Sequence, residues 1–468
     1  MILLGKIAFR NILRNRRRSA MTGAAVAVGA LALLVFGSFT TYLFASFHTT
    51  LVQQIGHLTV YRQGYFLFGA GNPTGYSIGD YEKVMGTISN DPALHPLLNV
   101  VTPTQSLVGI AGNFESGNDT AKTFLGIGLL PADRDRMRQW NEFGAGRVYP
   151  PDLRLSEDDD TRGLVGRGVA RILGLCAALK MEDCPSPPPS PTQIADSAGS
   201  LDADIAGLSQ SEIGSSNEGN GMPRLDLISA TASGAPNVVS LSVAGSEPWG
   251  AKENDDNIIT MHLKLAQQLV YGRSERKVTG IEIQLARSED IDLARHRLVE
   301  LFKANNLDLE VRDFGERTPF FGQALSLFRS IFVFISLIIG IVVLFAVVNT
   351  MTMNVMERTT EIGTLRAMGV RRHGVRLQFL IEGAMVGALG ASFGLICAVV
   401  IVTLINQAGL TWIPPTNVTP VPLLLDLFGQ PELLLGTWIG LVAVATGAAL
   451  VPANRAAKLP VVDALRHV

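Results

Sequence analysis

Apolar residues are distributed unevenly along this chain. Four stretches, 20–45, 330–356, 383–407 and 433–454, contain no Asp, Glu, Lys or Arg and run for 26, 27, 25 and 22 residues. A helix needs ~20 such residues to cross a hydrocarbon layer ~30 Å thick. A core helix of a soluble protein normally keeps one charged face. The four stretches therefore predict four transmembrane helices. The first follows a basic flank of Lys6, Arg10, Arg14, Arg16, Arg17 and Arg18, as a signal peptide would. Its apolar core exceeds the ~7–15 residues of a cleaved signal and no small-residue cleavage site follows, so it reads as an uncleaved anchor.

Between the first two stretches the pattern changes. Short β-rich runs recur at 58–61, 107–111, 123–127, 238–243, 258–261, 280–285 and 307–312, with helical patterns at 80–89, 132–140, 168–181, 262–271 and 289–304. In the last pattern, Ile291, Ala294, Leu298 and Leu301 share one face. Strands interleaved with helices predict a mixed α/β domain over 46–329. From 151 to 248 there is no Phe, Tyr or Trp, and PSPPPSP opens a Ser/Gly/Asn/Asp-rich run over 185–221. Such composition buries too little apolar surface to offset its ordering entropy, which predicts a flexible insert. A proline-rich ligand for a partner is the sharper alternative. Phe320, Phe321, Leu325 and Phe328 recur on one face of 315–329. That segment is either an outward stalk of the second span or an interfacial amphipathic helix.

Charge gives the orientation. The four stretches hold none of the 80 charged residues, so the 17% average becomes about 22% in the rest, near the soluble norm of ~25%. Segments 1–19, 357–382 and 455–468 carry 14 basic residues against 4 acidic, whereas the remaining non-membrane segments carry 25 against 37. The basic excess predicts cytoplasmic termini and a cytoplasmic middle loop. The domain 46–329 and the loop 408–432 then lie outside. The net charge of −2 conceals this partition and disfavours a nucleic-acid partner.

Cys176 and Cys184 lie eight apart in the external segment, where an oxidising compartment would permit a bridge. Two separate thiols are the alternative. Metal binding is disfavoured because no His or further Cys is near, and Cys397 in the third span reads as packing. Gly383, Gly387 and Ala391, with Gly390 and Gly394, set small-xxx-small spacings in the third span, as do Gly436 and Gly440 in the fourth. These are either helix contacts or ordinary small residues. Asn349, the most polar residue deep in the second span, is expected to make an interhelical hydrogen bond.

Two catalytic signatures are missing: the chain has no G-x-x-x-x-G-K-[ST] phosphate loop and no H-E-x-x-H. No Asp, Glu, Lys, Arg or His lies in the four spans, which argues against a carboxylate relay. The expectation is a non-enzyme with no cofactor of its own, driven from elsewhere.

The segment after the second span reads Met356-Glu-Arg-Thr-Thr-Glu-Ile-Gly-Thr-Leu-Arg-Ala-Met-Gly-Val-Arg-Arg. Glu357 and Glu361 lie one turn apart, as do Arg358 and Ile362. Ile362 and Leu365 give a small apolar face, and Gly369 suits a helix end. The residues alone leave two readings open: a short amphipathic helix or a solvated basic loop.

The string E-R-x-x-E-I-G-x-L-R-A-M-G after a span resembles the signature loop of the MacB/FtsX/LolC–LolE permeases, the membrane subunits of one class of ABC transporter. Residues Ala8-Phe-Arg-Asn-Ile-Leu-Arg-Asn and Pro452-Ala-Asn-Arg-Ala-Ala-Lys-Leu-Pro with Asp463-Ala-Leu-Arg are similar to the same family. The resemblance extends to the plan: a basic amphipathic helix over 1–19, one span, a large periplasmic domain, three more spans and a cytoplasmic tail, set in the inner membrane. It implies that the loop helix inserts into a separate ATPase, with Glu357, Arg358, Glu361, Ile362, Gly363, Leu365, Arg366, Ala367 and Gly369 as coupling residues. Charged ends would pair with the ATPase, while Ile362 and Leu365 would fill a pocket on it. It favours the stalk for 315–329. It further implies two ATPase copies that carry the ATP and Mg, and a second permease copy or a paralogue. The start of the external domain, Gly56-His-Leu-Thr-Val-Tyr-Arg-Gln-Gly-Tyr, looks most like the lipoprotein-releasing LolC/LolE permeases. A lipoprotein chaperone would then be an external partner and membrane lipids a constant one. Other roles implied by the family are MacB-like tripartite efflux with a periplasmic adaptor, and signalling to cell-wall hydrolases. A membrane-anchored receptor without ATP is the alternative outside the family.

Overall fold

The computed structural model describes residues 8, 10–11, 14–69, 72–114, 120–145, 155, 159–181, 222–272, 275–413 and 420–461. The chain forms two units. One gathers Met1–Phe47, Pro319–Trp412 and Val421–Val468, and the other gathers His48–Thr318 and Ile413–Pro420. Most of the expected basic helix over 1–19, the insert 185–221 and Cys184 lie outside the described residues.

Helix α1 (Arg16–Ile55) begins in the first unit and ends in the second. Its 40 residues correspond to ~60 Å of helix, far more than the uncharged stretch alone. It stops at Gly56, whose φ of +70° turns the chain while its N–H returns to Val52 O at 3.0 Å. A Cβ there would lie 2.7 Å from Ile283 O, so glycine is required twice over, by φ and by space.

The second unit continues with β1 (Leu58–Arg62), α2 (Tyr81–Ser89), β2 (Leu98–Asn113), β3 (Thr120–Leu129), α3 (Pro131–Arg138) and β4 (Arg162–Gly166). There follow α4 (Arg167–Ile172), β5 (Arg224–Ala230), β6 (Pro236–Glu247), α5 (Lys252–Asn257), β7 (Ile258–His262) and α6 (Leu263–Tyr271). The last elements are β8 (Gly280–Leu285), α7 (Ile291–Ala304), β9 (Leu309–Asp313) and α8 (Phe314–Arg317). The expected mixed α/β domain is thus present between the first two long helices.

Strand β2 is 16 residues long and serves two sheets. Its first half joins β8, β1 and β9 in an antiparallel sheet, with Val60 opposite both Ile281 and Val311. Its second half pairs with β3 and β5, and the pairings β3–β7, β7–β4, β4–β6 and β6–β5 close a ring of six strands. Phe124, Leu225, Leu227, Leu241, Ile259 and Met261 fill one core, against Ala266 and Leu269 of α6. Leu58, Ile283 and Leu285 form another with Ile88 of α2 and Ala294, Leu298 and Phe302 of α7. Full burial of each large side chain contributes ~1.5–3 kcal/mol.

Three expectations change here. β4 and β5 lie in the aromatic-free segment and were not foreseen. The helix expected over 168–181 ends at Ile172, because Gly174 adopts φ +70°. Cys176 therefore sits in a turn instead of on a helix face, and it is disulfide-bonded.

The rest of the first unit comprises α9 (Pro319–Glu357), α10 (Thr359–Ala367), α11 (Arg372–Gln407), β10 (Thr411–Trp412), β11 (Val421–Pro422) and α12 (Pro431–Lys458). Helices α1, α9, α11 and α12 are long and apolar enough to cross a membrane, and each contains one of the four uncharged stretches. The stalk segment is helical only from Pro319, since 314–317 form the separate α8. Beyond it, Phe321 and Phe328 of α9 meet Phe44 of α1 edge-on, at 6.1 and 5.6 Å between ring centres.

The small residues of the third span have a definite use. A Cβ on Gly383 or Gly387 would lie 2.6 or 2.7 Å from Ala449 or Ala445 of α12. On Gly390 or Gly394 it would lie 2.7 or 2.4 Å from Gly23 O or Ala27 O of α1. Two glycine faces thus seat α11 against two different helices. Gly436 and Gly440 meet nothing within 4 Å, so the fourth-span spacing makes no contact among the described residues. Asn349 is exposed on α9 and makes no hydrogen bond among the described residues; Asn354 accepts instead from Asn15, just before α1, at 3.1 Å.

Candidate functional site

The signature segment folds as a hinge-like succession. α9 ends at Glu357, Arg358 leaves helical geometry at φ −109° and ψ 19°, and α10 runs for nine residues. At its end Gly369 takes φ +95°, and Val370 N–H reaches back to Leu365 O at 3.1 Å. That six-to-one bond with a left-handed glycine stops the helix and turns the chain into α11. Gly369 is thus required at the helix end by its φ.

α10 has an inner and an outer side. On the inner side, Ile362 is 4% exposed and packs with Val355, Val375, Phe379, Ala453 and Ala456. Gly363 is buried beside it. Arg358 is also buried, and its Nη1 donates to Glu382 Oε1 at 3.0 Å. Its Nη2 donates to Asn11 O at 3.2 Å, and Asn11 Nδ2 donates to the same carboxylate oxygen at 2.5 Å. Arg366 Nη1 donates to Ala457 O at 3.3 Å and Leu459 O at 2.5 Å, which fixes α10 to the end of α12.

The outer side carries Thr360, Glu361, Thr364, Ala367 and Met368, continued by Val370, Arg371, Arg372 and His373, all exposed. Glu361 pairs with Arg14 at 2.8 Å. Glu357 pairs with Arg18 and accepts from Asn15 at 3.3 Å. The two glutamates thus hold the residues at the start of α1, and the ridge Thr360–Thr364–Met368 at i, i+4, i+8 spacing is exposed among the described residues.

This placement corrects part of the sequence reading. Ile362 fills a pocket in its own chain, because α9, α11 and α12 supply one where the residue enters. Arg358 is neutralised by Glu382, so it has no free charge to offer a partner. Gly363 faces inward with them. Glu361, Ala367 and Gly369 are exposed, and Leu365 and Arg366 are half-buried.

A family model described as "FtsX-like permease C-terminal" matches residues 333–461, which contain α10 and most of three long helices. The chain carries an FtsX-like permease domain. Its four apolar helices, with a mixed α/β domain between the first and second, are consistent with an FtsX-like permease. The chain is similar to the macrolide export ATP-binding/permease protein MacB of Brucella abortus, 29% identical over 35% of this chain and 26% of that protein. MacB of Hyphomonas neptunium is 30% identical over 50% of this chain and 34% of its own length. The lipoprotein-releasing system transmembrane protein LolC of Neisseria meningitidis serogroup B is 27% identical over 50% of this chain and 56% of its own length. The matches span about a quarter to just over half of these relatives.

Several residues that build the permease site were not foreseen. Glu382 was visible only as an acid on the edge of a span; its partners lie 24 and 371 positions away. Asn11, Asn15 and Asn354 gave no signal beyond their polarity.

Proposed function

We propose that this chain is the membrane subunit of an ATP-driven ABC transporter whose ATPase is a separate polypeptide docking on the exposed face of α10. The carrying observation is the division of α10 into a buried side, packed on its own chain, and an exposed ridge. The buried pair Arg358–Glu382 and the seat of Ile362 fix the helix rigidly to α9, α11 and α12. A push on Thr360, Thr364 and Met368 would then be delivered to these helices instead of being lost in a flexible loop. The basic run Arg371, Arg372 and His373 would meet an acidic rim on the ATPase.

The proposed orientation puts both termini and α10 in the cytoplasm of a cell with an inner membrane, because basic residues concentrate there. The second unit is then periplasmic. Two permease copies, or this chain with a paralogue, would pair with two ATPases that hold the ATP and Mg. The proposed output is extraction or release of lipoproteins, supported by the likeness to LolC over the larger share of that relative's length. Efflux of the kind named for MacB is the second reading, supported by the several relatives of that name.

Co-expression with the candidate ATPase and purification through the permease tests this. Wild type retains the ATPase. Met368→Asp with Thr364→Glu, both exposed, reduces retained ATPase about tenfold or more while the permease itself remains folded, since ~1.4 kcal/mol of interface energy corresponds to that factor. Absence of any associated ATPase in the wild type would end the proposal.

A further inference from the structure

A cavity of ≈10 Å³ lies inside the second unit. Gln53, Leu129 of β3, Arg134 and Arg138 of α3, Glu247 of β6 and Thr260 of β7 line it. One water molecule needs at least ~10–15 Å³ for its centre, so nothing larger fits. Gln53 and Thr260 are 2% and 1% exposed. Three buried oxygens of the lining residues, Gln53 Oε1, Glu247 Oε2 and Thr260 Oγ1, have no hydrogen-bond partner among the described residues. A buried acceptor without a partner costs more than an ordinary hydrogen bond returns. Three of them around one small space point to an occupant.

The other polar atoms of these side chains are engaged. Gln53 Nε2 donates to Arg138 O at 2.9 Å and to Trp140 O at 2.8 Å, which fixes the orientation of the amide and leaves Oε1 as its open end. Glu247 Oε1 accepts from Arg138 Nη2. Arg134 Nη1 donates to Gln53 O at 3.3 Å and to Gln54 O, and its Nη2 donates to Glu282 Oε2 at 3.4 Å. The cavity therefore offers two oxygens that only accept and one hydroxyl that can also donate. A metal cation there would lie beside two guanidinium groups. An anion would face a carboxylate and an amide oxygen. Water supplies two donors and a lone pair, and buried waters make ~3 hydrogen bonds. Burial pushes the Glu247 carboxyl above its ordinary range, against the pull of Arg138 and Arg134. A hydrogen bond donated to Oε2 favours the charged form that Arg138 pairs with.

We propose that Gln53, Glu247 and Thr260 form a binding site for a single buried water molecule, which donates to Gln53 Oε1 and Glu247 Oε2 and accepts from the Thr260 hydroxyl. The water joins α1, β6 and β7 through atoms that do not bond to one another directly. The site is independent of the ATP-coupled reading.

The test uses the full chain. A cryo-electron-microscopy map fine enough to show ordered waters should hold one peak within hydrogen-bond distance of all three oxygens. Ordered side chains with nothing between them, or Glu247 Oε2 bonded directly to Gln53 or Thr260, would overturn the site. Thermal unfolding in detergent, followed by tryptophan fluorescence, gives a second reading. Thr260→Val keeps the shape and removes one partner of the water, so the midpoint should fall by about 2–4 °C. Gln53→Met should lower it further, because the bonds of Nε2 are lost as well. The two side chains make no hydrogen bond to each other. The double variant should nevertheless fall by clearly less than the sum, since the second change finds the water already lost. In a Thr260→Ser background, which keeps the hydroxyl, Gln53→Met should cost as much as in wild type. Additive shifts for Thr260→Val with Gln53→Met overturn the shared water.

Discussion

The two ends of α1 are fastened by opposite physics. Near its N-terminus, Arg14–Glu361 and Arg18–Glu357 are exposed ion pairs, with side-chain exposures of 53% and 54%, and 43% and 39%. At its C-terminus, the Arg134–Glu282 pair is exposed by only 6% and 3%, and it grips backbone carbonyls directly. Exposed pairs are worth little and are screened by salt, whereas buried ones are costly to break. One end is thus built to be releasable, and the other is built to stay.

The buried pair beneath the exposed ones sharpens the contrast, because its charges lie at the start of α10 and within α11. Arg358→Met leaves Glu382 buried without a counter-charge, and we expect a loss of ~3–5 kcal/mol. The melting temperature of the full chain in detergent reads this. The double change Arg358→Met with Glu382→Met should recover most of the stability, since apolar residues of similar volume substitute well for buried pairs. It should still retain less ATPase, because α10 loses its directional anchor. Equal stability of the single variant and wild type would show that water reaches Glu382 freely.

What could be read from the sequence follows from how local each cause is. Four spans came from the absence of charge, and α7 from its face of Ile291, Ala294, Leu298 and Leu301. The spacing of Glu357, Glu361 and Ile362 allowed α10 without deciding between a helix and a solvated loop, and Gly369 suited its end. β4 was invisible because five residues with two glycines, Arg162–Gly166, carry no alternation; its pairing with β6 and β7 creates it. The closed ring could not be seen, because β2 changes partners within one uninterrupted run. The direction of α10's faces was only half legible: the spacing separated Arg358 and Ile362 from Glu357 and Glu361. Which pair faces inward depends on Glu382 and on α12, both distant in sequence.

At the other end of α1, His57 follows Gly56 and allows a test that leaves the N-terminal end untouched. It is fully buried, its Nδ1 accepts from Leu285 N–H at 3.0 Å, and Trp140 meets its ring edge-on at 4.9 Å. Burial, with His48 beside it, pushes its pKa down to about 3. A base held below its unfolded value of ~6.5 stabilises the fold fully at neutral pH and progressively less as the medium acidifies. The stability of the second unit should therefore be flat above pH ~6.5 and fall by ~1.4 kcal/mol per pH unit toward 3. Denaturant midpoints followed by tryptophan fluorescence measure it. His57→Gln should flatten that slope at the expense of stability at neutral pH; an undiminished slope would move the effect to other groups.

The smallest effect separates the two ends most cleanly. Raising ionic strength from 0.1 to 1 M shortens the screening length from ~10 to ~3 Å. Arg14–Glu361 and Arg18–Glu357 should each lose their modest worth of ~0–1 kcal/mol, while the buried contacts of Val52–Ile55 feel almost nothing. A nitroxide on Arg17→Cys, exposed beside Arg18, should therefore gain mobility in high salt, and one on Thr50→Cys should not. Glu361→Gln should reproduce part of the gain at low salt by removing one pair. If both labels loosen together, α1 is held as a single rigid rod and its ends are not differently fastened. If neither moves, part-buried contacts such as Asn11 with Glu382 hold the N-terminal end, and release there would require those contacts to break.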